Sequence, residues 1–225
     1  MKFLIIILFV TPFIFSQSEY IDGNSFGLSG GYNYGSNDNS SIDGFDLALT
    51  FLGSIDFGYQ YSEGKTVVDF YENDVHTLGN LVYLAYNFKK RENKFNLKVL
   101  AGYFSGDTKY HGDKLKSSGI LIGLGFYPRI LKEDVITLRA SIELSYGFLS
   151  TSNGYSYYGS DNSEFDNSRS LSIGLNLKIG LSPNIALAFA PFISKDLINS
   201  DNPFFFGIGG RLILSFDASE SETKD

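Results

Sequence analysis

An all-β chain, folded as an up-and-down antiparallel transmembrane β-barrel of about ten strands (eight to twelve), is the fold class that three observations predict. Segments with period-two patterning recur along the chain, and none has a convincing helical period. One face of each segment is bulky and apolar, while the other is small, glycine-rich and dotted with single charges. Short and long connections alternate between the segments. The stretch ITLRASIELSYGF, residues 136 to 148, shows the first two features together. Ile136, Leu138, Ala140, Ile142, Leu144, Tyr146 and Phe148 share one face of a strand, and Thr137, Arg139, Ser141, Glu143, Ser145 and Gly147 share the other.

The elements follow in order. MKFLIIILFVTPFIFSQSE has a basic Lys2, an apolar run from Phe3 to Phe15 and a small Ser16. This layout predicts a secretory signal peptide over residues 1–16, cleaved in the mature chain. As a retained anchor the run would fall short of the roughly 20 residues a spanning helix needs. The barrel is expected over residues 17–216, followed by an acidic periplasmic tail, 217–225. Strands are predicted near 24 to 34, 44 to 52, 54 to 62, 78 to 88, 95 to 105, 118 to 128, 135 to 148, 169 to 180, 184 to 194 and 203 to 216.

The apolar faces include Phe45, Leu47, Leu49 and Phe51, then Phe95, Leu97, Val99 and Tyr103, and later Leu171, Ile173, Leu175 and Leu177. A soluble sandwich that buried these rows would turn long hydrated side chains to water on the other face. Here that other face carries Gly27, Gly31, Gly58, Gly102, Gly123, Gly125, Gly147, Gly174 and Gly209. Between them stand Asp46, Asp56, Lys98, Arg139, Glu143, Lys178 and Arg211. Small residues and mixed charges suit a narrow polar lumen, so the bulky face is expected to meet lipid. Tyr83, Leu100, Phe104 and Tyr127 also face the lumen and would fill it. Tyr61, Phe88, Tyr103, Phe126, Tyr146 and Phe216 fit interfacial girdles.

The connections carry the third observation. SNDNSSID, the tract from Glu63 to Thr77, the tract from Gly106 to Ser117 and the tract from Leu149 to Ser168 form the longer set, and KDLINSDNP is intermediate. Leu52 to Ser54, KKRENK, PRILKED and Leu181 to Pro183 form the shorter set. With an even strand number both chain ends fall on the short-turn, periplasmic side. A three-residue connection at Leu52 to Ser54 pairs Phe51 with Ile55, Leu49 with Phe57 and Leu47 with Tyr59, which keeps apolar residues on one face. Parity also runs through Gly53, so one long strand over residues 44 to 62 is an alternative.

Composition narrows the function. A formal net charge of -7 argues against a nucleic-acid surface, and no nucleic-acid partner is expected. With no cysteine the chain has neither disulfides nor thiolate metal ligands. Twenty-one Phe, 15 Tyr and 24 Gly favour strands and tight turns.

The signal peptide, the alternating connections and the final strand, Phe204 to Phe216, together resemble the small outer-membrane β-barrel proteins of Gram-negative bacteria, the broad family that includes the OmpA-type barrel domain. The resemblance implies outer-membrane lipid as surroundings and the barrel-assembly machinery as a partner during insertion. Gly210, Leu212, Leu214 and Phe216 match the family's assembly signal at alternate positions, although residues 217–225 follow the terminal aromatic. No peptidoglycan-binding domain is expected.

Chemistry candidates are few. His76 and His111 are expected in outer loops with Asp74, Asp107 and Asp113 nearby, where an omptin-type surface protease would place a histidine and acids. No matching motif is present, and the chain is expected to be no enzyme. The tracts 37 to 44 and 160 to 168 are rich in oxygen ligands but lack calcium-loop spacing, so no metal or cofactor is expected. GLGF (123 to 126) and GIGG (207 to 210) lie inside strands and are no nucleotide loops. The seven lumen charges would either pair into a packed plug or line a thin aqueous passage. The expected role is structural or surface-interacting, through outer loops such as GYSYYGSDNSEF (154 to 165). A narrow solute channel and a soluble lipocalin-like binder, with faces reversed, are the alternatives.

Overall fold

The structure, a computed structural model, describes residues 25–68, 73–88, 94–110, 113–153, 164–198 and 203–216. The expected signal peptide, the acidic tail, His111 and residues 154–163 of the Tyr-rich segment lie outside them. Ten strands form in chain order: β1 (Phe26–Ser36), β2 (Ser40–Phe51), β3 (Ile55–Val68), β4 (Asn73–Phe88) and β5 (Phe95–Tyr110), then β6 (Asp113–Lys132), β7 (Ile136–Asn153), β8 (Glu164–Ser182), β9 (Ile185–Asp196) and β10 (Phe205–Phe216). Each pairs antiparallel with the next, and β10 returns to β1 to close the barrel. Closure leaves no unpaired edge, the condition for a sheet to exist in hydrocarbon.

The predicted register holds. Phe51 pairs with Ile55, Leu49 with Phe57 and Leu47 with Tyr59. The chain breaks at Leu52 to Ser54, so residues 44 to 62 form a hairpin and not one strand. Leu52 (φ 50°) and Gly53 (φ 58°) both take the left-handed conformation there, and the Ser54 amide donates to the Phe51 carbonyl at 3.1 Å. Glycine adopts that region freely, whereas leucine is strained in it.

Most strands run further than the alternation indicated, chiefly toward the end away from the chain termini, while β6 and β8 also continue at the short-turn end, to Lys132 and Ser182. Most of the tracts 63–77 and 106–117, expected as loops, is ladder: β3 continues to Val68, β4 starts at Asn73, β5 reaches Tyr110 and β6 begins at Asp113. β6 has 20 residues, against the roughly 9–11 that cross a bilayer. Outside hydrocarbon neither face must be apolar, so the sequence signal fades while the backbone pairing goes on.

The faces sort as expected. Leu47, Phe57, Leu84, Tyr103, Leu124, Ile173 and Phe206 all turn outward and are about half exposed. This direction overturns the lipocalin-like alternative, whose apolar rows would have met one another inside. Ring pairs gather at the two ends of the outer belt. Phe26 with Phe51 (centroids 5.9 Å apart), Tyr86 with Phe88 (4.7 Å) and Phe95 with Phe126 (5.8 Å) lie near the short turns. Phe45 with Tyr61 (5.4 Å) and Tyr146 with Phe148 (4.5 Å) lie toward the other end. Register shifts between Arg129 and Leu131 and between Gly180 and Ser182 mark irregularities near the short turns.

Close backbone approach makes one glycine indispensable. A Cβ on Gly119 would collide with the Phe148 carbonyl oxygen and press on the Leu149 Cα. Both are backbone atoms, so no rotamer change relieves the clash. Gly119→Ala is expected to cost more than about 2 kcal/mol, read as a lower urea midpoint by far-UV circular dichroism in detergent. An unchanged midpoint would show that β6 and β7 can separate cheaply at this point.

Candidate functional site: the charged lumen

Period two places every second residue of each strand inside, and antiparallel register then decides which of them meet. Gly31 on β1 lies opposite Asp46 on β2 and opposite Arg211 on β10. With no side chain between them, the Arg211 Nη2 donates to the Asp46 Oδ2 at 2.5 Å across the intervening strand. The other carboxylate oxygen accepts from the Asn33 Nδ2 at 3.1 Å. The two side chains are 5% and 2% exposed, so the pair lies where charge interactions are weakly screened and a missing partner is costly. A Cβ on Gly31 would stand 3.0 Å from the Asp46 Oδ1 and 2.8 Å from the Gly210 carbonyl oxygen. The glycine is therefore the gap through which the ion pair passes.

The same device recurs on the other side of the barrel. Gly125 on β6 lies opposite Lys98 on β5 and Glu143 on β7. Here a ring occupies the gap: Tyr127, from the same strand as the glycine, folds over it, and a Cβ there would meet its hydroxyl oxygen at 2.6 Å. The Tyr127 hydroxyl donates to the Glu143 Oε1 at 2.7 Å. The Lys98 ammonium sits 5.3 Å from the centre of the ring, a cation–π distance. Arg139 adds its Nη1, which donates to the Tyr127 carbonyl at 3.4 Å.

Asp56, nearest the short turns, accepts from the Thr50 hydroxyl at 2.7 Å and from the Asn87 Nδ2 at 3.5 Å. Tyr83 packs over Gly58, its partner in the ladder. Asp46 and Arg211 thus form one assembly, Lys98, Glu143 and Arg139 gather about Tyr127, and Asp56 is held by Thr50 and Asn87. Lys178 does not join them. It is half-buried at the short-turn mouth, beside Lys132, Glu133, Asp134 and Thr137.

Apolar packing completes the interior. Leu81, Tyr83, Ala85, Leu100, Phe104, Leu121 and Leu149 form one buried cluster, and Ile42, Ala190, Phe192 and Phe205 another. Tyr83 (3% exposed), Leu100 (1%), Phe104 (2%) and Tyr127 (0%) are shut off from water. The polar residues Asn33, Thr50, Asn87, Asn96 and Asn176 are also buried inside. They were not singled out from the sequence, although each shares the inward parity of a residue that was.

The remaining candidates fall elsewhere. His76 lies on β4, not in a loop, and stands between Lys65 and Lys109 on the outward face. Among the described residues no cluster of three or more His, Asp or Glu could hold a metal ion. Gly210, Leu212, Leu214 and Phe216 all turn outward on β10, in continuous register with β1.

No family model and no curated protein sequence matches the chain. Solved structures match over nearly its whole length. The translocator domain of the autotransporter NalP from Neisseria meningitidis aligns with a TM-score of 0.57 at 13% identity, covering 88% of this chain and 91% of that one. The β domain of the Bordetella autotransporter BrkA aligns with a TM-score of 0.55 at 11% identity, over 87% and 100%. The transport unit of AIDA-I from Escherichia coli gives 0.51 at 12%, over 91% and 93%. The fold is that of a bacterial outer-membrane β-barrel. At these identities the likeness concerns architecture, and the outward apolar belt agrees with it: in this barrel the Leu, Ile and Phe rows lie where hydrocarbon would cover them.

Proposed function

We propose that the chain is an integral outer-membrane protein with a non-enzymatic role, structural or surface-interacting, exerted by the end that carries the longer strands. The observation that supports this reading is the filled lumen. Tyr83, Leu100, Phe104 and Tyr127 are buried inside the barrel, and the Asp46–Arg211 and Lys98–Tyr127–Glu143 assemblies crowd the space beside them. Two of the matched domains are described as a translocator domain and a transport unit, but the interior of this barrel favours a closed wall over a conduit. Insertion would engage the barrel-assembly machinery through Gly210, Leu212, Leu214 and Phe216 on the lipid-facing side of β10.

Two measurements test the reading. The barrel in detergent should migrate differently on gels before and after boiling, as a closed sheet resists the detergent until heated. In a planar lipid bilayer it should give no steady unitary current. Steps of constant size would replace this reading with the narrow solute channel.

A further inference from the structure

The inward faces of the strands differ around the barrel. β4, β5 and β6 turn Leu81, Tyr83, Leu100, Phe104 and Leu121 into the lumen, where they pack together. β8 turns Ser168, Ser170, Ser172, Gly174, Asn176 and Lys178 inward, with no apolar side chain among them. On β7, Ser145 lies opposite Ser170, Glu143 opposite Ser172 and Arg139 opposite Asn176. The lumen therefore has a dry side and a polar seam. Two features of the seam point to a ligand. One is a cavity of about 10 Å³ whose lining includes Lys98, Glu143, Ser145, Ser170 and Ser172. The other is Asn176, which is 1% exposed and whose Oδ1 and Nδ2 both lack a hydrogen-bond partner among the described residues.

The chemistry of both places selects the ligand. A cavity of about 10–15 Å³ admits one water molecule and nothing larger. Its walls retain bonding capacity. The Ser145 and Ser170 hydroxyls bond each other at 2.7 Å, yet each hydroxyl can make more than one bond. The Glu143 Oε1 accepts from the Tyr127 hydroxyl, and a carboxylate accepts about four bonds in all. Lys98 and Arg139 stand on the strands around Glu143 with charge of the other sign, so an ion of either sign would meet a like charge here. Asn176 needs a partner that both accepts and donates, because a buried amide with neither bond is costly. Water is neutral and does both. We infer that the seam binds ordered water at two places, one molecule between Glu143 and the Ser145–Ser170 pair and one on the Asn176 amide. This hydration supplies Lys98 and Glu143 with solvation that a dry interior would deny them. Beyond being filled, the interior thus divides into a packed half and a hydrated half.

Magnetisation transfer from water to protein tests the seam in the barrel refolded in detergent micelles. In the wild type, water should transfer to the Asn176 Nδ2 protons with laboratory-frame and rotating-frame effects of opposite sign, the mark of water held longer than surface water. Oxygen-17 relaxation dispersion then counts the long-lived water. The double variant Ser172→Val, Asn176→Leu puts a methyl into the cavity and an apolar group in place of the amide. Its dispersion should fall by the contribution of both waters, while the boiling-dependent gel shift is unchanged. Equal dispersion from the two proteins overturns the inference. So does an absent Asn176 signal in the wild type, or one whose two effects share a sign, since that is water in rapid exchange with bulk. Should the double variant show no gel shift, the wild-type Asn176 signal decides alone. Steady unitary currents beside an intact Asn176 signal would remove the closed-wall reading and leave the bound water standing.

Discussion

Arg211→Leu is expected to lower the folding free energy of the barrel by about 3–5 kcal/mol, because it leaves the Asp46 carboxylate buried without its counter-charge. The carboxylate would retain Asn33 alone, and a neutral amide replaces only part of a guanidinium. Position adds to the effect. The pair joins β2 to β10 across β1, tying residues 165 apart in sequence, and so forms only when the sheet closes. Replacing both partners with apolar residues of similar volume, Asp46→Leu with Arg211→Met, should recover most of the loss, since the double change strands no charge. The measurement is a urea titration in detergent micelles followed by far-UV circular dichroism. Tryptophan emission is no help, because the chain has none. A single variant within about 0.5 kcal/mol of wild type, the range of an ordinary surface change, would mean that the bridge contributes nothing to closure.

Removing the two central rings should have the largest effect on permeability. Tyr83 and Tyr127 are 3% and 0% exposed, and each covers a glycine that offers nothing to fill the space they would vacate. Large-to-small changes at such sites cost about 3–5 kcal/mol each. Tyr83→Ala with Tyr127→Ala should also remove the ring that contacts both Lys98 and Glu143. In a planar bilayer the double variant is expected to pass steady unitary currents where the wild type passes none. A silent double variant that still shows the gel shift would place the barrier in other lumen residues, such as Leu100 and Phe104.

The lipid-facing rows, a barrel of about ten strands and the β2–β3 register were readable from residue order, although one long strand over residues 44 to 62 stayed open. Period-two alternation is a local property, and a membrane sharpens it by requiring one face to be apolar. The strand extensions were not readable for the same reason: beyond the hydrocarbon the requirement lapses, and Glu63 to Val68 or Gly106 to Tyr110 reads as polar loop while remaining ladder. His76 was consequently expected in a loop and stands on β4.

Alternation by itself determined which residues enter the lumen, since side-chain direction follows from parity along one strand. Which of those residues meet was decided only by closure and register, because a partner lies on another strand at a distance in sequence that no local pattern records. Asp46 finds Arg211 because register sets both opposite Gly31, whereas Lys98 stands opposite Gly125. Lys98 and Glu143, set across an equivalent gap at Gly125, both meet Tyr127 because that ring folds back over its own strand. Inward direction is a property of the chain, and pairing is a property of the closed sheet.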